Sequence, residues 1–125
     1  MELARQGIEA FRSADWTALA EIWDPRIVIR TDASWPEQGV YGRENAVAWV
    51  QGVWDSGGPD LDIEEAVDLG DRVLLDVRWV MRGDHSRLES EVRYSQVLTF
   101  RGGLVILNEL FLDRGQARKA VGLEE

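Results

Sequence analysis

The spacing of apolar residues indicates helices near the start and in the middle of the chain. Residues 2–12 repeat apolar side chains at helical intervals, and so do residues 43–54. Between them, Leu19, Ile22 and Trp23 share one face of a second helix, for which Asp15 is the expected N-cap and Asp24-Pro25 the expected end. The pattern therefore predicts a helical hairpin followed by a third helix.

The remaining segments have the pattern of strands. A short β-branched strand at residues 27–29 and an irregular loop at residues 31–42 precede the third helix. Beyond the breaker at residues 55–59, four strands are expected at residues 61–69, 72–82, 87–101 and 104–112. Helices followed by an antiparallel meander indicate an α+β fold. A length of 125 residues is that of one domain, so we expect a single domain over residues 1–125.

A turn at residues 83–86 predicts which side chains of the second and third long strands face each other. It places Arg78 opposite Glu91 and Asp76 opposite Arg93, as two pairs of opposite charge on one face. The other face of this hairpin is apolar and is expected to face the core.

The two-residue turn Gly102-Gly103 predicts the register of the last hairpin in the same way. It places Gln96 opposite Glu109 and Tyr94 opposite Phe111, all on the inward face. A carboxylate there needs a hydrogen bond or a wet cavity, since an unpaired buried charge is costly. Gln96 and Glu109 therefore either serve acid–base chemistry or form a structural pair with trapped water.

The same register gives the last strand an outward face that is too apolar for contact with water. Its outward residues, with Val97 on the neighbouring strand, are Ile106, Asn108, Leu110 and Leu112. We therefore predict a homodimer formed through this face of the sheet.

Composition narrows the range of partners. The net charge of −9 repels phosphate backbones and anionic lipids, so neither nucleic acid nor a membrane is expected as a partner. The chain has no cysteine, and its single histidine, His85, falls in a predicted turn, so no metal site or other cofactor is expected. No stretch at the N-terminus has the form of a signal peptide, and we expect a cytoplasmic protein.

Three segments together resemble one protein family: SADWTALAEIWDPRIVIRTD, GVYGRENAVAWV and FRGGLVILNELFLDRGQARKAVGL. Their order is similar to that of the SnoaL-like and ketosteroid-isomerase-like proteins of the nuclear transport factor two superfamily, over nearly the whole chain. The resemblance implies a cone-shaped α+β barrel, in which a bent antiparallel sheet wraps around three helices and an apolar pocket.

The resemblance also implies roles for particular residues. The aspartate base of ketosteroid isomerases follows the first strand, where Asp32 or Thr31 stands here, and Asp32 is the better chemical candidate. Gln96 occupies the place of a second oxyanion donor and can donate from its amide. The first donor, a tyrosine, aligns near Gly7, and the histidine of the cyclase dyad has no counterpart in the pocket, so both known constellations are incomplete.

These observations lead to two hypotheses. The first is a cofactor-free isomerase or polyketide-cyclase-like lyase that acts on a small apolar carbonyl compound. Asp32 or Glu109 is its candidate base, and Gln96, alone or with Tyr94, polarises the oxygen. The second is a non-catalytic ligand-binding or dimerisation module of the same fold. In either case the expected pocket-lining residues are Trp23, Trp35, Trp49, Trp79, Tyr94 and Phe111.

Overall fold

The computed structural model describes residues 2–31, 39–82 and 89–123. Within these residues the chain forms four helices and six strands. In chain order they are α1 (Glu2–Arg12), α2 (Trp16–Ile22), β1 (Trp23–Thr31), β2 (Gly39–Tyr41), α3 (Arg43–Gly57), β3 (Leu61–Asp68), β4 (Arg72–Arg82), β5 (Glu89–Arg101), β6 (Leu104–Phe111) and α4 (Arg114–Ala120).

The helical hairpin forms as the pattern predicts. Asp15 caps α2, because its carboxylate accepts a hydrogen bond from the Ala18 amide at 3.1 Å. At the end of α1, Arg12 Nε donates to the Leu61 carbonyl at 2.6 Å and Arg12 Nη2 to the Asp62 carboxylate at 2.9 Å. These bonds attach the hairpin to the first residues of β3.

The six strands form one curled sheet in the order β2-β1-β6-β5-β4-β3. The predicted α+β class is confirmed, but the sheet is mixed rather than wholly antiparallel, because β1 runs parallel to β6. No tight turn joins these two strands, and the chain between them crosses α3 and the meander, so their relative direction is free to be parallel. The additional strand β2 lies within the predicted loop and pairs with β1.

The sheet is covered on both faces. Its inner face packs against α1, α2 and α3 around buried residues that include Ile27, Ile29 and Val77. Its outer face carries a smaller cluster of Leu74, Val97 and Phe111, which packs against α4. This short fourth helix therefore lies on the opposite side of the sheet from the other three.

The β4–β5 register differs from the prediction by two residues. Arg78 pairs with Arg93 and Asp76 with Ser95. A shift of two residues leaves every side chain on its predicted face, because the side-chain period of a strand is two. Arg78 still reaches Glu91, with Nε at 2.6 Å from Oε1. The turn predicted at residues 83–86 lies outside the described residues.

The β5–β6 register is where the prediction is wrong. The pairing Phe100–Val105 follows from the predicted turn, but the next pair is Thr99–Leu107, so that Ile106 is an extra residue in β6. Beyond this bulge, Gln96 pairs with Leu110 rather than with Glu109. A shift of one residue exchanges the two faces of the strand.

The bulge also changes the face predicted to form a dimer. Leu110 and Asn108 turn to the inner side of the sheet, where both are buried. Val97 stays on the outer side, but it is fully buried in the cluster packed against α4 of the same chain. The predicted interface therefore loses Asn108 and Leu110 to the inner side of the sheet, and Val97 is covered by α4.

Candidate functional site

A cavity of about 80 Å³ lies between the inner face of the sheet and the helices α1, α2 and α3. Its walls are mostly apolar, and they include Leu19 on α2, Val50 on α3 and Leu98 on β5. A cavity of roughly 150 Å³ is enough for a benzene-sized molecule. The present cavity is about half as large, so it suits a molecule of a few non-hydrogen atoms.

Aromatic side chains supply much of the wall. They are Phe11, Trp23, Trp49, Trp79 and Tyr94. Trp79 is held in place because its indole Nε1 donates to the Gly58 carbonyl at 3.0 Å and its ring meets Phe11 edge-on, with 6.2 Å between centroids. The wall at this point is therefore fixed by hydrogen bonding and ring packing.

Two neutral amides interrupt the apolar wall. Gln96 on β5 and Asn108 on β6 line the cavity, are 9% and 5% exposed, and are joined by a hydrogen bond of 2.9 Å from Gln96 Nε2 to Asn108 Oδ1. The bulge at Ile106 brings Asn108 to this position. We call these two residues the amide pair.

Tyr94 adds a third polar group to the cavity wall. Burial raises the pKa of its phenol well above the ordinary value. The hydroxyl is therefore protonated at neutral pH and is able to donate a hydrogen bond.

The structure brings together most of the predicted pocket residues. Gln96, Tyr94, Trp23, Trp49 and Trp79 line the cavity, and their roles in binding or catalysis stay predictions. Asp32 and Trp35 lie outside the described residues.

Two predicted site residues are placed elsewhere, and both errors follow from the bulge. Glu109 does not line the cavity and pairs with Val97 on the outer side of the sheet. Phe111 pairs with Ser95 and packs in the outer cluster against α4.

Asn108 is the site residue that the sequence interpretation missed. The turn alone placed Glu109 inward and Asn108 outward. The sequence did contain a signal for the opposite register, with Asn108 inward, because a neutral amide costs far less free energy to bury than a carboxylate. Choosing between the two registers on that ground would have placed Asn108 in the wall.

The polar groups on the described part of the wall are hydrogen-bonding groups. Among the described residues that line the cavity there is no Asp, Glu, His, Lys or Arg. The amide pair can donate and accept hydrogen bonds, and Tyr94 can donate one. Within the described part of the chain, no group of three or more His, Cys, Asp or Glu residues is arranged to hold a metal ion.

A charged cluster on the outer face has a structural role. Arg118 of α4 is buried, and its Nη2 lies 2.6 Å from Asp76 Oδ2 and 3.4 Å from Glu65 Oε2. Ser95 Oγ also donates to Asp76, at 2.7 Å. The bonds of Arg118 attach α4 to β3 and β4, and the Ser95 bond joins β5 to the same carboxylate of β4.

No helix in the described ranges is long and apolar enough to cross a membrane. A comparison of the sequence with curated proteins finds no significant match.

Solved structures share this fold at low sequence identity. A nuclear transport factor two-like protein of unknown function from Burkholderia pseudomallei superposes with a TM-score of 0.79 at 16% identity, over 97% of this chain and 95% of that one. A protein from Catenulispora acidiphila with a ketosteroid-isomerase-like fold, in complex with trimethylamine, gives 0.76 at 16% identity, over 98% and 93%. A protein from Jannaschia sp. CCS1, provisionally assigned as a SnoaL-like polyketide cyclase, gives 0.77 at 19% identity, over 88% and 82%.

The sequence itself matches the model of one family. The match extends over residues 4–108, and so includes α2, α3, all but the first two residues of α1, and both members of the amide pair. The curled sheet, the helical layer and the cavity between them agree with this assignment. The chain belongs to the family of SnoaL-like domains.

Proposed function

We propose that this chain binds a small, mostly apolar molecule with one polar end in the cavity of its inner face. The observation that carries the proposal is the position of the amide pair, two hydrogen-bonding groups on an otherwise apolar wall. Apolar walls with a few placed polar groups are typical of small-molecule sites. Burial of the apolar part favours binding, and the amides orient the polar end.

The size of the cavity sets the size of the ligand. About 80 Å³ suits a compact molecule such as acetone rather than a steroid or a polyketide. The relative from Catenulispora acidiphila is complexed with trimethylamine, a molecule of the same small size. That resemblance in scale supports a compact ligand for this chain.

Calorimetric titration with acetone tests the proposal. Leu98 is buried in the cavity wall, so Leu98→Phe should fill the space and weaken acetone binding about tenfold or more. Leu123→Phe, at an exposed position after α4, is the matched control and should bind as the wild type does. Equal affinity in both variants would place the acetone site elsewhere.

A second candidate function is acid–base catalysis on the bound carbonyl compound. It is favoured by Thr31, the last residue of β1, which pairs with the cavity residue Leu110 and directly precedes Asp32 in the sequence. In this scheme Asp32 takes a proton from the carbon next to the carbonyl, and the Gln96 amide donates to the developing oxyanion. Glu109 is no longer a candidate base, since it does not line the cavity.

Exchange of acetone protons for deuterium, followed by NMR, tests this second function. We expect the wild type to accelerate exchange and Asp32→Asn to abolish the acceleration. Glu109→Gln removes a carboxylate from the other side of the sheet and should leave the rate unchanged. Exchange that is equally fast in Asp32→Asn and the wild type would exclude Asp32 as the base.

A further inference from the structure

We infer that the cavity selects a neutral ligand with a hydrogen-bond donor and an acceptor side by side, as in a small carboxamide. The inference rests on the proposed function and specifies the ligand class for the same site. It is based on the hydrogen-bonding groups of Gln96 and Asn108 that the bond between them does not use. Gln96 and Asn108 lie on neighbouring strands and both border the cavity.

One bond within the pair leaves one carbonyl group and one amino group of the two side chains without any hydrogen bond to each other. Gln96 Nε2 donates one of its two N–H groups to Asn108 Oδ1, so Gln96 Oε1 remains as an unused acceptor and Asn108 Nδ2 as an unused donor, beside the second N–H of Gln96. Neither Gln96 Oε1 nor Asn108 Nδ2 has a hydrogen-bond partner among the described residues. Rotating both amides by half a turn exchanges the two roles between the residues, and one donor and one acceptor still remain.

Because the surroundings are apolar, both the unused carbonyl and the unused amino group of the pair affect ligand affinity. Both side chains are buried beside the cavity, so a ligand that fills it also excludes water from them, and a polar group then left without a partner is unfavourable. A ketone offers only an acceptor and leaves the carbonyl of the pair unsatisfied. A primary amide offers an N–H and a C=O on adjacent positions and satisfies both groups.

The charge of the wall favours a neutral ligand. The described lining residues include no charged side chain, so a carboxylate or an ammonium ion would be buried without a counter-charge. Tyr94, whose pKa is raised by burial, is protonated and adds no charge to the wall. A carboxamide therefore fits the wall better than the corresponding acid or amine.

Three probes of nearly the same shape separate the contributions of a ligand's hydrogen-bond donor and acceptor to affinity. The probes are acetamide, acetone and isobutene. They offer a donor with an acceptor, an acceptor alone, and neither group. Titrations followed by NMR should show that the wild type binds acetamide about tenfold or more tightly than acetone, in spite of the stronger hydration of the amide. Acetamide affinity equal to or below that of acetone would overturn the inference.

Variants of the amide pair complete the test. Asn108→Leu leaves Gln96 alone, and we expect acetamide affinity to fall about tenfold or more. The double variant Gln96→Leu with Asn108→Leu serves as the alternative if the single variant fails to fold. It removes both partners at once and so leaves no buried amide unpaired. It should bind isobutene in preference to acetamide. Unchanged acetamide affinity in the double variant would overturn the inference.

The outcomes also separate the inference from the proposed function. Isobutene or acetone binding without acetamide binding would overturn the ligand class alone, because a small apolar molecule would still occupy the cavity. Absence of binding by all three probes would overturn both.

Discussion

Gly57, the last residue of α3, lies against the wall of the cavity. A Cβ atom at this position would overlap the indole ring of Trp79. The neighbouring Gly58 carbonyl accepts the hydrogen bond from the same indole. The absence of a side chain at Gly57 therefore allows α3 to end against Trp79 and helps to set the position of that ring.

Gly57→Ala should destabilise the fold by about 1–3 kcal/mol, because the added methyl group forces the Trp79 ring or the end of α3 to move. The matched control is Gly52→Ala on the same helix, where a Cβ would meet nothing within 4 Å. That change should stabilise by about 0.5–1 kcal/mol, since alanine favours a helix interior. Urea unfolding measures both values, and the same sign for the two variants would contradict this account.

The short helix α4 is held on the sheet by the ion pair of Arg118 and Asp76. Burial alone would raise the pKa of Asp76, but hydrogen bonds from Arg118 and Ser95 and the charges of Arg118 and Arg114 outweigh it. The pKa is therefore lowered from 3.8. A lowered folded-state pKa gives stability that is present above pH 3.8 and is lost as the pH falls through the folded-state pKa.

The pH dependence of unfolding tests this role of Asp76. We expect the free energy of unfolding of the wild type to fall on acidification below about pH 4, and Asp76→Asn to have a shallower slope. Asp55→Asn replaces an exposed carboxylate at the end of α3 and should retain the wild-type slope. A slope in Asp76→Asn as steep as that of the wild type would mean that other carboxylates cause the acid sensitivity.

Most elements could be predicted from the sequence because their periods are clear. The faces of β4 and β5 follow from strict alternation, which a two-residue error in register does not disturb. The bulge could not be located in this way. It falls within Leu104-Val105-Ile106-Leu107, four consecutive apolar residues without alternation, so the pattern is the same whichever residue is extra.

The consequence of the bulge is confined to the residues beyond it. Asn108 replaces Glu109 in the cavity wall, and Phe111 moves to the outer cluster. On β5, which has no such shift in its pairing with β4, Tyr94 and Gln96 are where the sequence placed them. The one-residue error in register therefore left the predicted fold correct, but it placed a carboxylate, Glu109, where the cavity wall has an amide, Asn108.

For the whole molecule, a homodimer remains a prediction, and it now rests on a different part of the outer face. Tyr41 of β2 is 66% exposed and pairs with Val28 of β1, which in turn pairs with Leu107 of β6. Leu107 of this apolar row is on β6, the strand that also carries Phe111 of the outer cluster. A second copy of the chain is the occupant that we expect.

Sedimentation at micromolar concentration tests the dimer. Tyr41→Arg places a charge in the apolar row and should shift the wild-type dimer to a monomer. Leu123→Arg, at another exposed apolar position, should leave the dimer unchanged. The prediction is wrong if the wild type itself sediments as a monomer.

The central claim, that a compact polar-ended molecule occupies the cavity, is tested most directly by the indole N–H signals in NMR. Trp23, Trp49 and Trp79 line the cavity, whereas Trp16 and Trp54 do not. During an acetone titration, the account predicts saturable shifts for the three lining indoles and for the side-chain amides of Gln96 and Asn108, with Trp16 and Trp54 nearly constant. Equal shifts at all five indoles, or none at the lining three, would contradict it.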